Sequence, residues 1–280
     1  MTEANAGQKL YWNDAPGVKW ITHQQALDRM NHSVAELVLN AAAPRTGEQV
    51  LDIGCGAGAT TIMAARAVAP GGYAVGLDIS GPLVRHANKR FAEEGLDNAE
   101  ALQGDAQTQP APEQGVDLAL SRFGVMFFDD PVAAFVNIRR LIRPGGRLVF
   151  ACWAEGNPWF DLPMQAAVAQ LGPAEPKPAD APGPLAFREP ARVRDILEGA
   201  HFTGVEIDTH EVPLVIPEGL EAGLEFCKHL GPISRHMTDK NGTEADFDAI
   251  MDRLRPAFAA FDTDQGLMIP GRVHLVQARA

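Results

Sequence analysis

The stretch VLDIGCGAG, residues 50–58, narrows the choice of fold more than any other segment of this chain. A short apolar strand carrying one acid, Asp52, runs directly into glycines at 54, 56 and 58. Glycine reaches positive φ and has no Cβ, so Gly54, Gly56 and Gly58 permit a tight strand-to-helix turn and let a ligand approach the main chain closely. The helix starting near Ala59 then directs its unpaired N–H groups and positive dipole end at the same place, which favours an anionic or highly polar ligand.

Around this turn the pattern alternates. Strands are expected at 49–53, 73–78, 100–103, 116–121 and 147–153, and helices at 60–69, 82–94 and 131–142, the last stopping at Pro144-Gly145-Gly146. Such alternation specifies a parallel sheet with crossover helices. Asp129-Asp130-Pro131 reads as a helix N-cap with proline at the first helical position, not as a catalytic carboxylate pair. Upstream, Thr22-x-x-Gln25 reads as a capping box, with Leu27, Met30, Val34, Leu37 and Val38 following at helical spacing. Downstream, residues 172–184 (GPAEPKPADAPGP) hold five prolines in thirteen positions, which predicts an extended, mobile connector. A helix at 191–199, a strand at 203–216 with an irregular end, and a helix at 219–230 follow. Phe247, Ile250, Met251, Leu254, Phe258 and Phe261 mark one more helix bent at Pro256, and 267–278 reads as a closing strand.

Charge and cysteine usage exclude several functions. A net charge of −12 without any basic run argues against a nucleic-acid partner. Cys55, Cys152 and Cys227 are far apart and odd in number, which fits neither a disulfide framework nor a zinc or dithiol site and points to a reducing cytoplasm. No His, Asp or Glu cluster has metal-ligand spacing, so no metal is expected. The start MTEANAGQKL lacks a basic-then-apolar leader, and no run approaches the ~20 apolar residues of a membrane helix. A homodimer is the prior for a soluble enzyme of this size.

Two ligand readings compete for the glycine turn. Gly54-Cys55-Gly56-Ala57-Gly58-Ala59 satisfies the dinucleotide pattern G-x-G-x-x-A, with Asp78 standing where a ribose acid belongs. Three features tilt away from NAD. Asp52 would meet the ammonium of an amino-acid moiety but repel a pyrophosphate. Gly104-Asp105-Ala106 follows the third strand, where a short acid could accept from an adenine amino group. The whole unit also lies behind a helical arm able to close over a small ligand.

VLDIGCGAG, the acid of VGLDIS, the GDA tripeptide, LALSRFGVMFF and LIRPGGRLVF, in this order between residues 49 and 153, resemble the successive motifs of class I S-adenosylmethionine-dependent methyltransferases. The resemblance extends to the branch of quinone-biosynthesis and small-molecule methyltransferases. It implies S-adenosyl-L-methionine as cofactor, with Gly54, Cys55, Gly56 and Gly58 in the turn beneath it and Asp52 on its ammonium. Asp78 would accept from the ribose hydroxyls, Ile79 pack on the adenine, Asp105 and the Ala106 N–H read the adenine edge, and Ser121 lie beside the methionine portion. Cys55 acts there as a small spacer, with no nucleophilic part.

The fold expected is α/β: a Rossmann-like doubly wound sheet of seven strands, mostly parallel with an antiparallel last strand, plus a helical cap. Residues 1–44 form the arm, and residues 45–280 the methyltransferase domain with cap insertions at about 154–186 and 218–264. The acceptor is expected under the arm and insertions, whose Tyr11, Trp12, Trp20, Met30, Trp159, Phe160, Phe226 and Met237 suit an apolar molecule. Trp12, Trp20, Phe123, Met126, Trp159 and Phe160 are the candidate contacts. No catalytic group is assigned; His23 and His229 are candidate bases, and Arg122 a candidate partner for an acceptor carboxylate or a cap acid. The expected reaction is methyl transfer to a small, fairly apolar acceptor, against an NAD-linked oxidoreductase or a non-catalytic cofactor-binding module.

Overall fold

The computed structural model describes residues 3–176, 178 and 180–280. Four short helices precede the sheet: α1 (Ala6–Trp12), α2 (Ala15–Thr22), α3 (Gln24–Met30) and α4 (His32–Ala42). The capping box expected at Thr22–Gln25 is not formed. The chain turns at His23 and again at Asn31, and Thr22 Oγ1 donates to the Val18 carbonyl inside α2 at 3.0 Å. α4 carries the apolar face that docks the arm: Val34, Ala35, Val38, Leu39 and Ala42 are buried on it.

Then the alternation follows as β1 (Gln49–Ile53), α5 (Ala59–Val68), β2 (Tyr73–Asp78), α6 (Gly81–Glu93), β3 (Ala99–Gln103), β4 (Val116–Arg122), α7 (Pro131–Leu141) and β5 (Ile142–Trp153). After these come α8 (Pro158–Leu171), α9 (Pro190–Gly199), β6 (Thr203–Ile216), α10 (Leu220–His229), α11 (Pro232–Lys240), α12 (Glu244–Ala259), β7 (Asp262–Thr263) and β8 (Gly266–Arg279). Strand order is β3-β2-β1-β4-β5-β8-β6, with β8 antiparallel to both neighbours and β1 to β5 parallel. The two-residue β7 adds to β8 and makes the sheet eight-stranded instead of seven, a pairing too short to leave any pattern in the sequence. Leu118, Ala119 and Leu120 of β4 are fully buried, as a strand covered on both faces requires.

Asp130 caps α7 by accepting from the Ala133 N–H, and Ser80 caps α6. α12 begins three residues before its apolar pattern because Thr243 and Asp246 form a reciprocal capping box, and it continues past Pro256. α8 and α11 go beyond the sequence reading. α8 contains Pro163, and α11 starts at Pro232 directly after a glycine, where the reading ended a helix. α8, α10, α11 and α12 pack together as a helical layer at the β8 side of the sheet. Residues 177 and 179 of the proline-rich connector lie outside the described residues; its other positions form neither helix nor strand.

Arg147 ties the arm to the sheet. Its Nε donates to the Ala42 carbonyl (2.7 Å) and its Nη2 to the Ala43 carbonyl (3.0 Å), while both Nη atoms pair with Glu48 at 2.8 and 2.7 Å. Both side chains are largely buried, at 14% and 11% exposed. Hydrogen bonding from Arg147 holds the Glu48 carboxyl below its usual range, against the opposing effect of burial. This stabilisation is fully present above the ordinary glutamate pKa and is lost as pH falls through the lowered value. Arg147→Met is expected to cost about 3 kcal/mol at pH 7, and less near pH 3, in guanidinium titrations.

Candidate functional site

Strand order reverses between β1 and β4, and ligands of open α/β sheets bind beyond the carboxyl ends of the strands at that point. There the two strand ends are clamped together. Ser121 Oγ, fully buried, donates to the Ile53 carbonyl (2.7 Å) and accepts from the Gly124 N–H (3.1 Å). A Cβ on Gly54 would come within 2.5 Å of the Gly124 Cα, so the approach of these two backbones demands glycine. At Gly58 a Cβ would meet the Phe91 ring at 2.6 Å. Gly56 differs: its φ is +55°, yet nothing lies within 4 Å of where its Cβ would be. That direction is open, so a ligand could approach the turn from it. The Cys55 side chain turns away beneath the loop against Gly76, and burial pushes its thiol well up, so it stays a neutral spacer.

Asp52 is fully buried. Its Oδ2 accepts from the Thr60 and Thr61 hydroxyls of the first turn of α5, at 2.6 and 2.7 Å. Its Oδ1 has no partner among the described residues. Burial raises the carboxyl from 3.8 to about 6, against the smaller lowering effects of the two threonines and Arg122. A buried carboxylate oxygen left unpaired is costly, and a ligand ammonium would satisfy it. The residues therefore fit an amino-acid-bearing cofactor. Asp78 is also buried and shifted up by burial, with Oδ2 accepting from the Gly56 N–H and Oδ1 from the Ser80 N–H, both at 2.8 Å. These bonds fix the carboxylate on the rim of the glycine turn, with lone pairs left over for hydroxyl donors.

The arm is stitched over these loops by residues that the sequence did not flag. Asn5, nearly fully buried, donates through Nδ2 to both Asp105 oxygens (3.0 and 2.9 Å) and accepts on Oδ1 from the Asp129 N–H (2.7 Å). Asp105 Oδ1 also accepts from the Gln107 N–H, so an adenine amino group would share this acid with Asn5. Beside it lies a cavity of about 360 Å³ lined by Glu3, Ala4 and Lys9 of the arm and by Ile79, Gln103, Gly104, Asp105 and Thr108 of the sheet loops. Ala106, next in the chain after Asp105, is buried. Ser80 Oγ donates to the Trp12 carbonyl, and Asn13 accepts from the Gly81 N–H. Asp28 of α3 pairs with Arg90 at 2.8 Å, and Arg90 Nη1 donates to the Ala57 carbonyl of the glycine turn. Thr60 and Thr61 are legible in the sequence, as hydroxyls in the first turn of the helix that follows the strand acid. Asn5, Asn13, Asp28 and Arg90 carry no local signal.

The candidate acceptor contacts divide. Phe123 holds a left-handed φ of +65° and stacks on Trp153 with centroids 3.9 Å apart; Phe160 meets the same Trp153 edge-on at 5.1 Å. Trp12 packs edge-on against Trp20 (5.6 Å) and Phe127 (5.5 Å), bringing the arm to the end of β4. Met126 and Trp159 lie in the core instead, 1% and 4% exposed, the latter against Phe226 and Phe258. His23 and His229, nominated from distant segments, stack on each other with centroids 4.9 Å apart. Burial, then the neighbouring His229 and Lys19, lower the His23 pKa. His236 is buried and hydrogen-bonded to the Gly172 carbonyl.

Known proteins share sequence and fold with this chain. A family profile described as a methyltransferase domain matches residues 50–146. The nocamycin O-methyltransferase of Saccharothrix syringae is 33% identical over 192 residues, 64% of this chain and 67% of that one. The aklanonic acid methyltransferase DauC of Streptomyces sp. strain C5 is 36% identical over 113 residues, 40% of this chain and 51% of the relative, so that match spans about half the relative's length. Among solved structures, the YcgJ protein of Bacillus subtilis superposes with a TM-score of 0.58 at 17% identity, covering 89% of this chain and 98% of that one, a likeness of fold.

Proposed function

The chain belongs to the class I S-adenosylmethionine-dependent methyltransferases, and from that premise we propose that its acceptor is a small, fairly apolar molecule, aromatic or quinone-like, held beneath arm and cap. The family removes the NAD-linked alternative. S-Adenosylmethionine, when bound over the glycine turn, supplies a sulfonium-activated methyl group open to in-line displacement. Asp52, steadied by Thr60 and Thr61, takes the ammonium; Asp78 accepts from the ribose hydroxyls. Ile79 packs on the adenine, whose edge is read by Asp105 and the Ala106 N–H. Gly54, Cys55, Gly56 and Gly58 form the floor, and Ser121 braces it without touching the ligand, since its hydroxyl is already committed at both ends.

The observation that carries the acceptor class is Phe123 stacked on Trp153 at the ends of β4 and β5. A bulky residue at positive φ is strained by roughly 1–3 kcal/mol, and such strain clusters where a side chain must be aimed. With Phe160 on the same Trp153 it makes an apolar wall that excludes water, which favours a step in which positive charge disperses, while Trp12 of the arm packs on Trp20 and Phe127. Alignment against that wall supplies the main rate gain, several kcal/mol. Residues 1–44 and the insertions at about 154–186 and 218–264 act as the lid on the domain 45–280. The stacked His23–His229 pair is the group available to take a proton from an acidic acceptor. The relatives named for nocamycin and aklanonic acid support a small-molecule acceptor. Among the described residues no helix is long and apolar enough to cross a membrane, and all three cysteines are buried and unpaired, which supports action in the cytoplasm.

The test is methyl transfer from labelled S-adenosylmethionine across quinols, phenols, carboxylic acids, amines and RNA. Turnover is expected on a planar apolar acceptor and none on RNA. Phe123→Ala should raise KM for that acceptor at least ~10-fold with cofactor affinity unchanged. Cofactor binding with no transfer to any acceptor would favour a binding module, and transfer confined to RNA or amines would overturn the acceptor class.

A further inference from the structure

Arg122 ends β4, one residue after the Ser121 clamp and across from the carboxyl end of β1. Its side chain is only 11% exposed, its Nη1 is buried, and that atom has no hydrogen-bond partner among the described residues. The acid nearest to it is Asp28, whose Oδ1 lies 4.0 Å from Nη2, beyond hydrogen-bonding distance, while its Oδ2 is engaged by Arg90 and Gln24. Asp52, whose Oδ1 is equally without a partner, is among the charges close enough to act on Arg122. The carboxyl ends of β1 and β4 therefore present two buried, unsatisfied atoms on groups of opposite sign that act on each other electrostatically.

Resting on the cofactor placement above, we propose that Arg122 binds the α-carboxylate of the methionine moiety, so that Arg122 and Asp52 together receive the zwitterionic end of the cofactor. The charges are consistent with this. Asp52 and Arg122 carry opposite charges, and a zwitterion matches both while satisfying both orphaned atoms. An acceptor carboxylate at Arg122 would add a negative charge beside Asp52. A guanidinium suits the task because its planar fork can engage both carboxylate oxygens, which a lysine ammonium cannot do. A buried cation with an unmet N–H is costly in the free protein, and a ligand carboxylate would satisfy it.

Calorimetry with S-adenosylhomocysteine and with 5′-methylthioadenosine, which keeps the adenosyl thioether but lacks the amino-acid end, separates this contact from general damage. Arg122→Met is expected to weaken S-adenosylhomocysteine roughly 30-fold while leaving 5′-methylthioadenosine unchanged, and not to lower the thermal midpoint of the ligand-free protein. Arg122→Lys, which keeps charge but not the fork and covers the case of a poorly folding Met variant, should lose an intermediate amount. Equal losses for both ligands, or none, would overturn the inference. So would intact S-adenosylhomocysteine affinity with a raised KM for acceptor, which would turn the guanidinium toward the second substrate. A wild-type protein that binds 5′-methylthioadenosine as tightly as S-adenosylhomocysteine would overturn it as well. Failure of the wild type to bind either ligand would instead sink the cofactor placement itself.

Discussion

S-Adenosylhomocysteine should bind this protein more weakly as the pH falls through about 6, and at pH 5.5 its binding should expel a proton. Burial lifts Asp52 from 3.8 to about 6. For an acid raised in the folded state, the folded protein holds a proton between pH 3.8 and 6 that the unfolded chain has lost. Asp52 therefore costs nothing below pH 3.8, and its penalty grows to roughly 3 kcal/mol once the pH exceeds about 6. A ligand ammonium on Oδ1 stabilises the carboxylate, pulls the pKa down and drives the proton off. Titrations at pH 5.5 in buffers of different ionisation enthalpy should show that release, and titrations at pH 8 should not. Burial also raises Asp78, so the assignment needs Asp52→Asn. That variant should be more stable than wild type at pH 8 by about 1–3 kcal/mol, bind S-adenosylhomocysteine at least ~30-fold more weakly, and lose the proton release. Persistence of the release in Asp52→Asn would assign it to another acid.

Gly54→Ala and Gly56→Ala should fail in different ways, although they stand two residues apart in one turn. Both sit at positive φ, +65° and +55°. At Gly54 the new Cβ meets backbone, the Gly124 Cα at 2.5 Å, so the β1 and β4 ends must part and the Ser121 clamp must open. A loss of at least ~3 kcal/mol in ligand-free stability is expected, with cofactor binding abolished. At Gly56 no protein atom lies within 4 Å, so stability should fall by only the ~1–2 kcal/mol of left-handed strain. Cofactor affinity should nonetheless fall at least ~10-fold, because the methyl group takes space meant for the ligand. Chemical denaturation and calorimetry on both variants check the contrast. Wild-type affinity in Gly56→Ala would mean that the ligand does not lie over that face of the turn.

Much of this site is local in sequence, which is why it could be read. Asp52, the three glycines and the α5 N-terminus fall within a dozen residues, so their geometry follows from strand, turn and helix rules that act over one or two turns. Asp78 ends β2 and Asp105 lies two residues past β3, and parallel register carries them to the same edge. The arm escaped such rules. Its helices are seven to eleven residues long and break where the chain bends around the sheet, although the periodic apolar pattern from Leu27 to Val38 is that of one capped helix. β7 is too short to show alternation, and α8 carries a proline that reads as a break.

Sequence alone determined the alternation of strand and helix from β1 to β5, the bare turn and the acids that flank it, because hydrophobic period and backbone freedom are properties of neighbouring residues. Tertiary structure decided which polar groups meet. It placed Asn5 on Asp105 and stacked His23 on His229. It also separated the aromatics into a wall around Phe123 and Trp153 and a core around Met126 and Trp159. Those contacts join positions up to about two hundred residues apart, where a side chain's partner is set by how helices pack on the sheet and not by what precedes it in the chain. The unpaired atoms of Asp52 and Arg122 are the clearest case, since an unmet hydrogen bond becomes visible once every other neighbour has been placed.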